Sequence, residues 1–230
     1  VMKKYILVID QGTTSSRVIL YNKKFQLFDI VQKEFKQYFP KEGWVEHNAI
    51  DIWNDVKELI KKILRKNKLK SNNIISIGIA NQRETTVLWN KKNGKPVYNA
   101  IVWQDRRTSD YCSKLRKKNK AKKINKITGL ELDPYFSATK IKWIIDNVKN
   151  VKQNLKNHNV IFGTIDTWLL WNLTNGKSHL TDITNASRTM LFDSKKEKWS
   201  KEMLKLFNIP QNILPKVVEN FDHLKILQTP

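Results

Sequence analysis

The sequence predicts an α/β fold, and three stretches carry that prediction. Two β-type runs, Tyr5 to Ile9 and Val18 to Tyr21, flank the tight polar turn Asp10-Gln11-Gly12-Thr13-Thr14-Ser15-Ser16, with Arg17 behind it, and read as a hairpin. Asn48 is placed to cap a helix that gathers Ile50, Trp53, Val56, Ile60, Ile63 and Leu64 on one face, opposite Lys57, Lys61 and Lys62. Ile74 to Ala80 is a continuous apolar run with Gly78 inside it, and reads as a buried central strand. Phe25 to Phe35 alternates well enough to add a third strand, so the chain opens with a β-meander that the Asn48 helix is expected to cover.

Further along, Thr86 to Trp89 and Val97 to Trp103 flank Asn93-Gly94, a strong hairpin signal. Thr108 to Lys126 is helical, basic and mostly exposed in pattern, and Ile141, Ile144, Ile145 and Val148 make the stripe of an amphipathic helix. Val160 to Ile165 reads as a strand, with Asp166 capping a helix from Thr167 to Leu173 that ends at Gly176. That helix carries Trp168, Leu169, Leu170 and Trp171, is apolar nearly all round, and must be buried. Thr181 to Phe192 is polar and irregular, Trp199 to Phe207 is a short helix, and no strand pattern follows. There is no internal repeat and no low-complexity segment or Gly/Ser linker.

At 230 residues the chain suits one large domain or two small ones, and the 40% hydrophobic content with eight Trp excludes a disordered chain. The net charge of +22 would suit nucleic acid or an anionic membrane, but the lysines are spread over helix faces in runs as short as Lys117-Lys118. Lys, Asn and Ile are all abundant, as an AT-rich coding sequence would make them, and we read the charge as compositional, with no nucleic-acid partner. A lone Cys112 rules out an intrachain disulfide framework and a Cys-based zinc site, and points to the cytoplasm. No apolar run approaches the ~20 residues of a membrane span. The start Met2 to Ile9 only imitates a signal peptide, because Asp10 cuts its apolar stretch short; the sequons at Asn172 and Asn185 are therefore expected to carry no glycan. Val1 before Met2 reads as a non-native start.

Polar clusters stand at strand ends and on loops, where α/β folds place ligands. In the first, Gly12 allows close backbone approach, and the hydroxyls of Thr13, Thr14, Ser15 and Ser16 with the loop N–H groups can surround an anion. Asp10 supplies a hard oxygen that suits Mg²⁺, directly or through water. Taken alone, the loop is also readable as a solvated hairpin turn. In the second, Arg83 beside Glu84 sets a donor next to an acceptor, which can grip neighbouring hydroxyls of a polyol or close on itself as a local ion pair. Trp103 and Tyr135 offer flat apolar walls to a carbon chain, or serve as ordinary core aromatics.

Asp10 to Arg17, Gly43-Trp44-Val45-Glu46-His47, Asn81 to Thr86, Asn99 to Gln104, Asp133-Pro134-Tyr135-Phe136-Ser137, Phe162-Gly163-Thr164 with Asp166-Thr167-Trp168-Leu169, and Thr184 to Leu191 together resemble the FGGY carbohydrate kinases, and within them the glycerol kinases. The resemblance runs from about Lys4 to Pro215. It implies an actin-like, ribonuclease-H-like ATPase fold, a mixed sheet with the opening meander and helices on both faces. It implies ATP and Mg²⁺ as cofactors and glycerol as acceptor, with Thr13, Thr14, Ser15 and Arg17 at the nucleotide phosphates and Asp10 at the metal. Arg83, Glu84 and Tyr135 would bind glycerol hydroxyls, and Trp103 would pack on its carbon backbone. The family's catalytic base is an Asp in a Gly-Asp-Gln motif leading into a second, adenine-binding domain, and no Gly-Asp-Gln occurs in these residues. Residues 1–230 are thus expected to be the first domain of such a kinase, truncated or diverged after about residue 216, inactive alone, with a homo-oligomer expected for the full-length family member. A non-catalytic remnant of a decayed gene, or another sugar kinase of the family, are the alternative readings.

Overall fold

The computed structural model describes residues 3–220. The expectations for Val1 and Met2, and for the tail from Phe221 to Pro230, lie outside those residues. In chain order come β1 (Tyr5–Gln11), β2 (Ser15–Asn22), β3 (Leu27–Glu34), β4 (Glu46–His47), α1 (Ala49–Lys66) and β5 (Ile74–Asn81). There follow β6 (Val87–Asn90), β7 (Ala100–Ile101), α2 (Ser109–Lys117), α3 (Ala121–Thr128), α4 (Ser137–Asn147), α5 (Val151–Lys156), β8 (Val160–Gly163) and α6 (Ile165–Leu173). The described chain closes with β9 (Leu180–Asp182), α7 (Ile183–Ala186), β10 (Phe192–Asp193), β11 (Lys198–Trp199), α8 (Lys201–Phe207) and β12 (Lys216–Val218). These residues sort into two compact units, one of residues 3–37 and 48–82 and one of residues 38–47 and 83–220.

In the first unit the sheet runs β3-β2-β1-β5. β1, β2 and β3 are an antiparallel meander, and β5 joins β1 in parallel, which makes the sheet mixed as expected. Alternate residues Tyr5, Leu7 and Ile9 of β1 and Val18 and Leu20 of β2 are buried, the period-two signature of a strand with one face in a core. Asn48 caps α1 as predicted, its side-chain oxygen accepting the Ile50 N–H at 2.9 Å. The buried face of α1 differs from the expected stripe. Ile52, Val56, Leu59 and Ile63 turn inward, at the spacing i, i+4, i+7 and i+11, while Ile50 is exposed and Trp53, Ile60 and Leu64 are half-buried. Both sets are helically periodic and share Val56 and Ile63, so periodicity alone does not centre the face.

β5 also departs from expectation. It is an edge strand among the described residues, not a central one, and Ile75 is 52% exposed. An apolar run with Gly78 fits a strand buried on both faces, but which strands lie beside it is a property of topology that its own residues do not carry.

In the second unit β6 pairs antiparallel with β8, and β4 with β7. The Asn93-Gly94 turn forms, with Gly94 N–H donating to the Asn90 carbonyl at 2.8 Å; the returning arm is held by the bridges Trp89 to Pro96 and Thr86 to Ile101. The core is built from Leu88, Ile101, Ile141, Ile144, Phe162 and Phe207, among others, so the α4 stripe points inward as its spacing requires. α6 is buried through Trp168, Leu169 and Trp171; it ends at Leu173 with Thr174 at the cap position, and Gly176, where the end was expected, lies in the following turn at φ +79°, its N–H donating to the Trp171 carbonyl at 2.8 Å. The expected single helix from Thr108 to Lys126 is two, α2 and α3, broken near Asn119, whose φ is +56°. α6 begins at Ile165 with Thr164 at the cap position, so Asp166 lies in its first turn and is not the cap. Asp166 instead takes hydrogen bonds from the hydroxyls of Thr164 and Thr181, and burial pushes its carboxyl up to about 6. β12, pairing in parallel with β9, is a strand that too short a pattern concealed.

A buried ion cluster holds residues 38–47 into this unit. The Arg107 side chain, fully buried, donates to Glu46 at 2.7 Å and to both carboxylate oxygens of Asp105, at 2.8 and 2.9 Å. Its guanidinium lies 3.8 Å from the ring centre of Trp44 and 4.6 Å from that of Trp143. Glu46 accepts further bonds from the Tyr98 hydroxyl and the Asn99 amide, and Asp105 from the Val45 N–H at 2.6 Å. Every charge is satisfied, which makes the cluster tolerable in a core. Arg107→Met, which strands two buried carboxylates, is expected to cost about 3–5 kcal/mol in urea unfolding followed by Trp fluorescence. Lys66→Ala, which breaks an exposed pair with Asp29, is expected to cost about 1 kcal/mol or less.

Candidate active site

In the first unit the polar turn is narrower than its sequence suggests. β1 runs through Asp10 and Gln11 and β2 begins at Ser15, leaving Gly12, Thr13 and Thr14 as the turn proper. Gly12 N–H donates to the Ser15 carbonyl at 2.9 Å, and a Cβ at Gly12 would stand 3.2 Å from that same oxygen, so the turn is tight enough to favour glycine. Gln37 donates to the Thr13 carbonyl at 2.7 Å, Phe35 N–H to the Thr14 carbonyl at 3.2 Å, and Gln32 to the Ser15 hydroxyl at 3.0 Å. Gln82, just past the end of β5, donates from its side chain to Gln11 Oε1 and to the Gly12 carbonyl, both at 3.0 Å. With the loop carbonyls engaged from behind, Thr14 stays exposed and Thr13 and Ser15 half-buried.

Asp10 and Arg17 face each other across the β1–β2 pair and form a 2.6 Å ion pair. Among the described residues no group of three His, Cys, Asp or Glu side chains is arranged to hold a metal. Mg²⁺ does not require one, since it keeps much of its water and binds through one or two carboxylates together with substrate phosphates. A single accessible carboxylate beside a turn of hydroxyls and an arginine fits that mode of binding.

In the second unit Arg83 is exposed and makes no ion pair among the described residues. Glu84 is buried in a left-handed backbone conformation, φ +62°, and its carboxylate accepts from Arg188 Nε at 2.6 Å. The local Arg83–Glu84 ion pair is therefore not formed; the partner comes from far along the chain. The Glu84 carbonyl is held by the hydroxyls of Ser137 and Thr86, at 3.0 and 3.1 Å. A non-glycine residue at positive φ is strained and persists only where neighbours over-determine it, and these bonds do so. The Arg188 guanidinium lies 4.9 Å from the Phe136 ring centre and 5.8 Å from that of Tyr135, and Tyr135 tilts against Trp103 at 5.4 Å. Glu84, Arg188, Tyr135 and Trp103 thus form one continuous set, with Arg83 adjacent to Glu84 in the chain. Arg188 and Gln82 were missed as site residues in the sequence. Both stand in the quoted motifs, but only the fold shows what they hold.

Residues 5–229 match the N-terminal domain of the FGGY family of carbohydrate kinases, and the chain belongs to that family. It is 54% identical to the glycerol kinase of Parabacteroides distasonis over 214 residues, 93% of this chain and 43% of that protein. It is 54% identical to the glycerol kinase of Clostridium botulinum over 216 residues, 94% of this chain and again 43% of the relative. The chain therefore spans less than half the length of these curated relatives. Among solved structures, Plasmodium falciparum glycerol kinase with ADP superposes with a TM-score of 0.88 at 38% identity over 94% of this chain and 43% of that one. Gluconate kinase from Lactobacillus acidophilus, with a TM-score of 0.82 at 24% identity over 94% of this chain and 42% of the other, shares the fold. The actin-like α/β architecture expected from the sequence is the one these proteins have.

Arg188→Ala would leave the buried Glu84 carboxylate without its guanidinium. Because Arg188 is itself partly exposed, the expected cost is about 1–3 kcal/mol in urea unfolding, and Glu84→Gln combined with Arg188→Ala should recover part of it.

Proposed function

We propose that this chain is the glycerol- and phosphate-binding part of a cytoplasmic ATP-dependent glycerol kinase, which converts glycerol and ATP to sn-glycerol 3-phosphate and ADP. The carrying observation is the joined set of Glu84, Arg188, Tyr135 and Trp103 in a chain 54% identical to glycerol kinases. The Glu84 carboxylate, oriented by Arg188, accepts hydrogen bonds from neighbouring glycerol hydroxyls. Arg83, unpaired and exposed, donates to an oxygen of the same polyol, and the Tyr135 hydroxyl adds a third contact. Trp103 lies against the carbon backbone. Thr13, Thr14 and Ser15 hydrogen-bond the nucleotide phosphates, and Arg17 adds positive charge beside them. Asp10 would hold Mg²⁺, directly or through water, and the metal would supply charge neutralisation at the phosphates.

Phosphoryl transfer asks the protein chiefly for in-line positioning, charge stabilisation and a residue that accepts the hydroxyl proton. No Gly-Asp-Gln occurs among these residues, so we assign the proton acceptor to sequence outside them. Two measurements test this reading. Calorimetry should find glycerol binding that Arg83→Ala or Glu84→Ala weakens at least about tenfold, the loss expected when charged hydrogen bonds are removed; unchanged affinity in both variants would reject the site. A coupled assay of residues 1–230 with glycerol and Mg-ATP should give no turnover above background, and normal turnover would reject the assignment of the base.

A further inference from the structure

Lys140 lies in the first turn of α4 and is 0% exposed, the only lysine so placed among the described residues. Burial of an ammonium costs several kcal/mol unless its N–H groups are all satisfied. Its Nζ donates to three consecutive main-chain carbonyls, Pro134 at 2.8 Å, Tyr135 at 2.5 Å and Phe136 at 3.4 Å. Three donors meet three acceptors. The same turn of α4 donates from the Ser137 hydroxyl to the carbonyl of Glu84. On its other side the Tyr135 segment is fixed by Asp133, whose carboxylate accepts the Tyr135 N–H and an Arg106 Nη1–H, both at 2.8 Å.

We propose that Lys140 is a positioning residue for the polyol site: its buried ammonium holds the backbone of Pro134 to Phe136 so that Tyr135 keeps its place against Trp103 and Arg188. The inference rests on the glycerol-binding reading for its consequence, and on the structure alone for the grip itself. An apolar side chain of equal length would fill the space of the lysine stem at lower cost, and would leave three carbonyls of a substrate-contacting segment without this donor. The charge is what specifies the loop. Burial outweighs the negative charges of Asp105, Glu84 and Asp133 that act on it, so that the Lys140 pKa is pushed down to about 7; the nearby Cys112 thiol, pushed up to about 11 by its own burial, is neutral in this range. Below that pH the group is an ammonium with three donors. Above it, the amine has two donors and a lone pair turned toward carbonyl oxygens, and the grip loosens.

Global stability moves the opposite way. Folding lowers the pKa of Lys140, so the unfolded chain binds the proton more tightly between about 7 and the ordinary lysine value, and this group makes stability rise with pH across that window. A segment that loosens as the protein around it becomes more stable is a signature that simple destabilisation does not produce.

The test is hydrogen exchange of the 133–137 segment in the 230-residue chain from pH 6 to pH 8.5, corrected for intrinsic rates, in the native protein and in Lys140→Met, with glycerol affinity measured alongside. Native protection of the segment should fall about tenfold through pH 7 while the urea midpoint does not fall. Lys140→Met should lack the step, and its glycerol affinity should be at least tenfold weaker at pH 6.5 and flat with pH. A pH-independent native segment, or a variant with native protection and native affinity, would overturn the proposal. If Lys140→Met does not fold, the native pH series decides by itself. If the native chain binds no glycerol, the polyol reading fails, and the exchange data still decide whether Lys140 holds the segment.

Discussion

The second unit depends on one buried cation. Arg107 reaches Glu46 and Asp105 from between the rings of Trp44 and Trp143, and Glu46 and Trp44 belong to the short excursion, residues 38–47, that the chain makes between β3 and α1. A two-residue strand pair such as β4–β7 has too few hydrogen bonds to secure that excursion. The ion cluster adds directional, fully satisfied contacts to it. Because a guanidinium sequestered from water tolerates no missing partner, the arrangement is all or none. The excursion and the loop from Asp105 to Arg107 therefore have one joint conformation rather than two independent ones.

The same logic recurs in the site. Glu84 is buried, strained and negative, and each of those conditions is offset by a separate neighbour: Arg188 for the charge, Ser137 and Thr86 for the carbonyl. Lys140 is buried, and three main-chain carbonyls accept the hydrogen bonds its ammonium donates. In both places polar groups that would be cheaper on the surface stand inside, next to a segment that needs a fixed shape. α4 is common to both, since its first turn supplies Ser137 and Lys140. The helix is apolar enough along Ile141, Ile144 and Ile145 to be locked into the core, so what its first turn holds is locked as well.

The first unit solves a different problem, that of presenting the hydroxyls of Thr13, Thr14 and Ser15 to solvent; Ser16, expected beside them, is buried instead and offers nothing to an anion. Its hairpin turn is held by two glutamines at its carbonyls, Gln37 at Thr13 and Gln82 at Gly12, while Gln32 takes up the Ser15 hydroxyl and glycine lets Gly12 close on Ser15. Stiffness comes from the sheet and access from the turn, the division of labour that the proposed phosphate contact requires.

Most of this was legible in order along the chain. Alternation marked β1 and β2, Asn48 marked the start of α1, Asn93-Gly94 marked its turn, and the polar stretches around Asp10, Arg83 and Trp103 stood out as clusters, because these signals are local and each residue's neighbours in sequence suffice to produce them. What the tertiary structure decided was everything that requires two distant segments to meet. The rotation of α1 about its axis, the edge position of β5, the choice of Arg188 over Arg83 as partner to Glu84, and the placing of Lys140 under Tyr135 are all of that kind. A charged side chain shows its type in the sequence but not its partner, since the pairing is set by which surfaces exclude water together, and that is known only once the chain has folded.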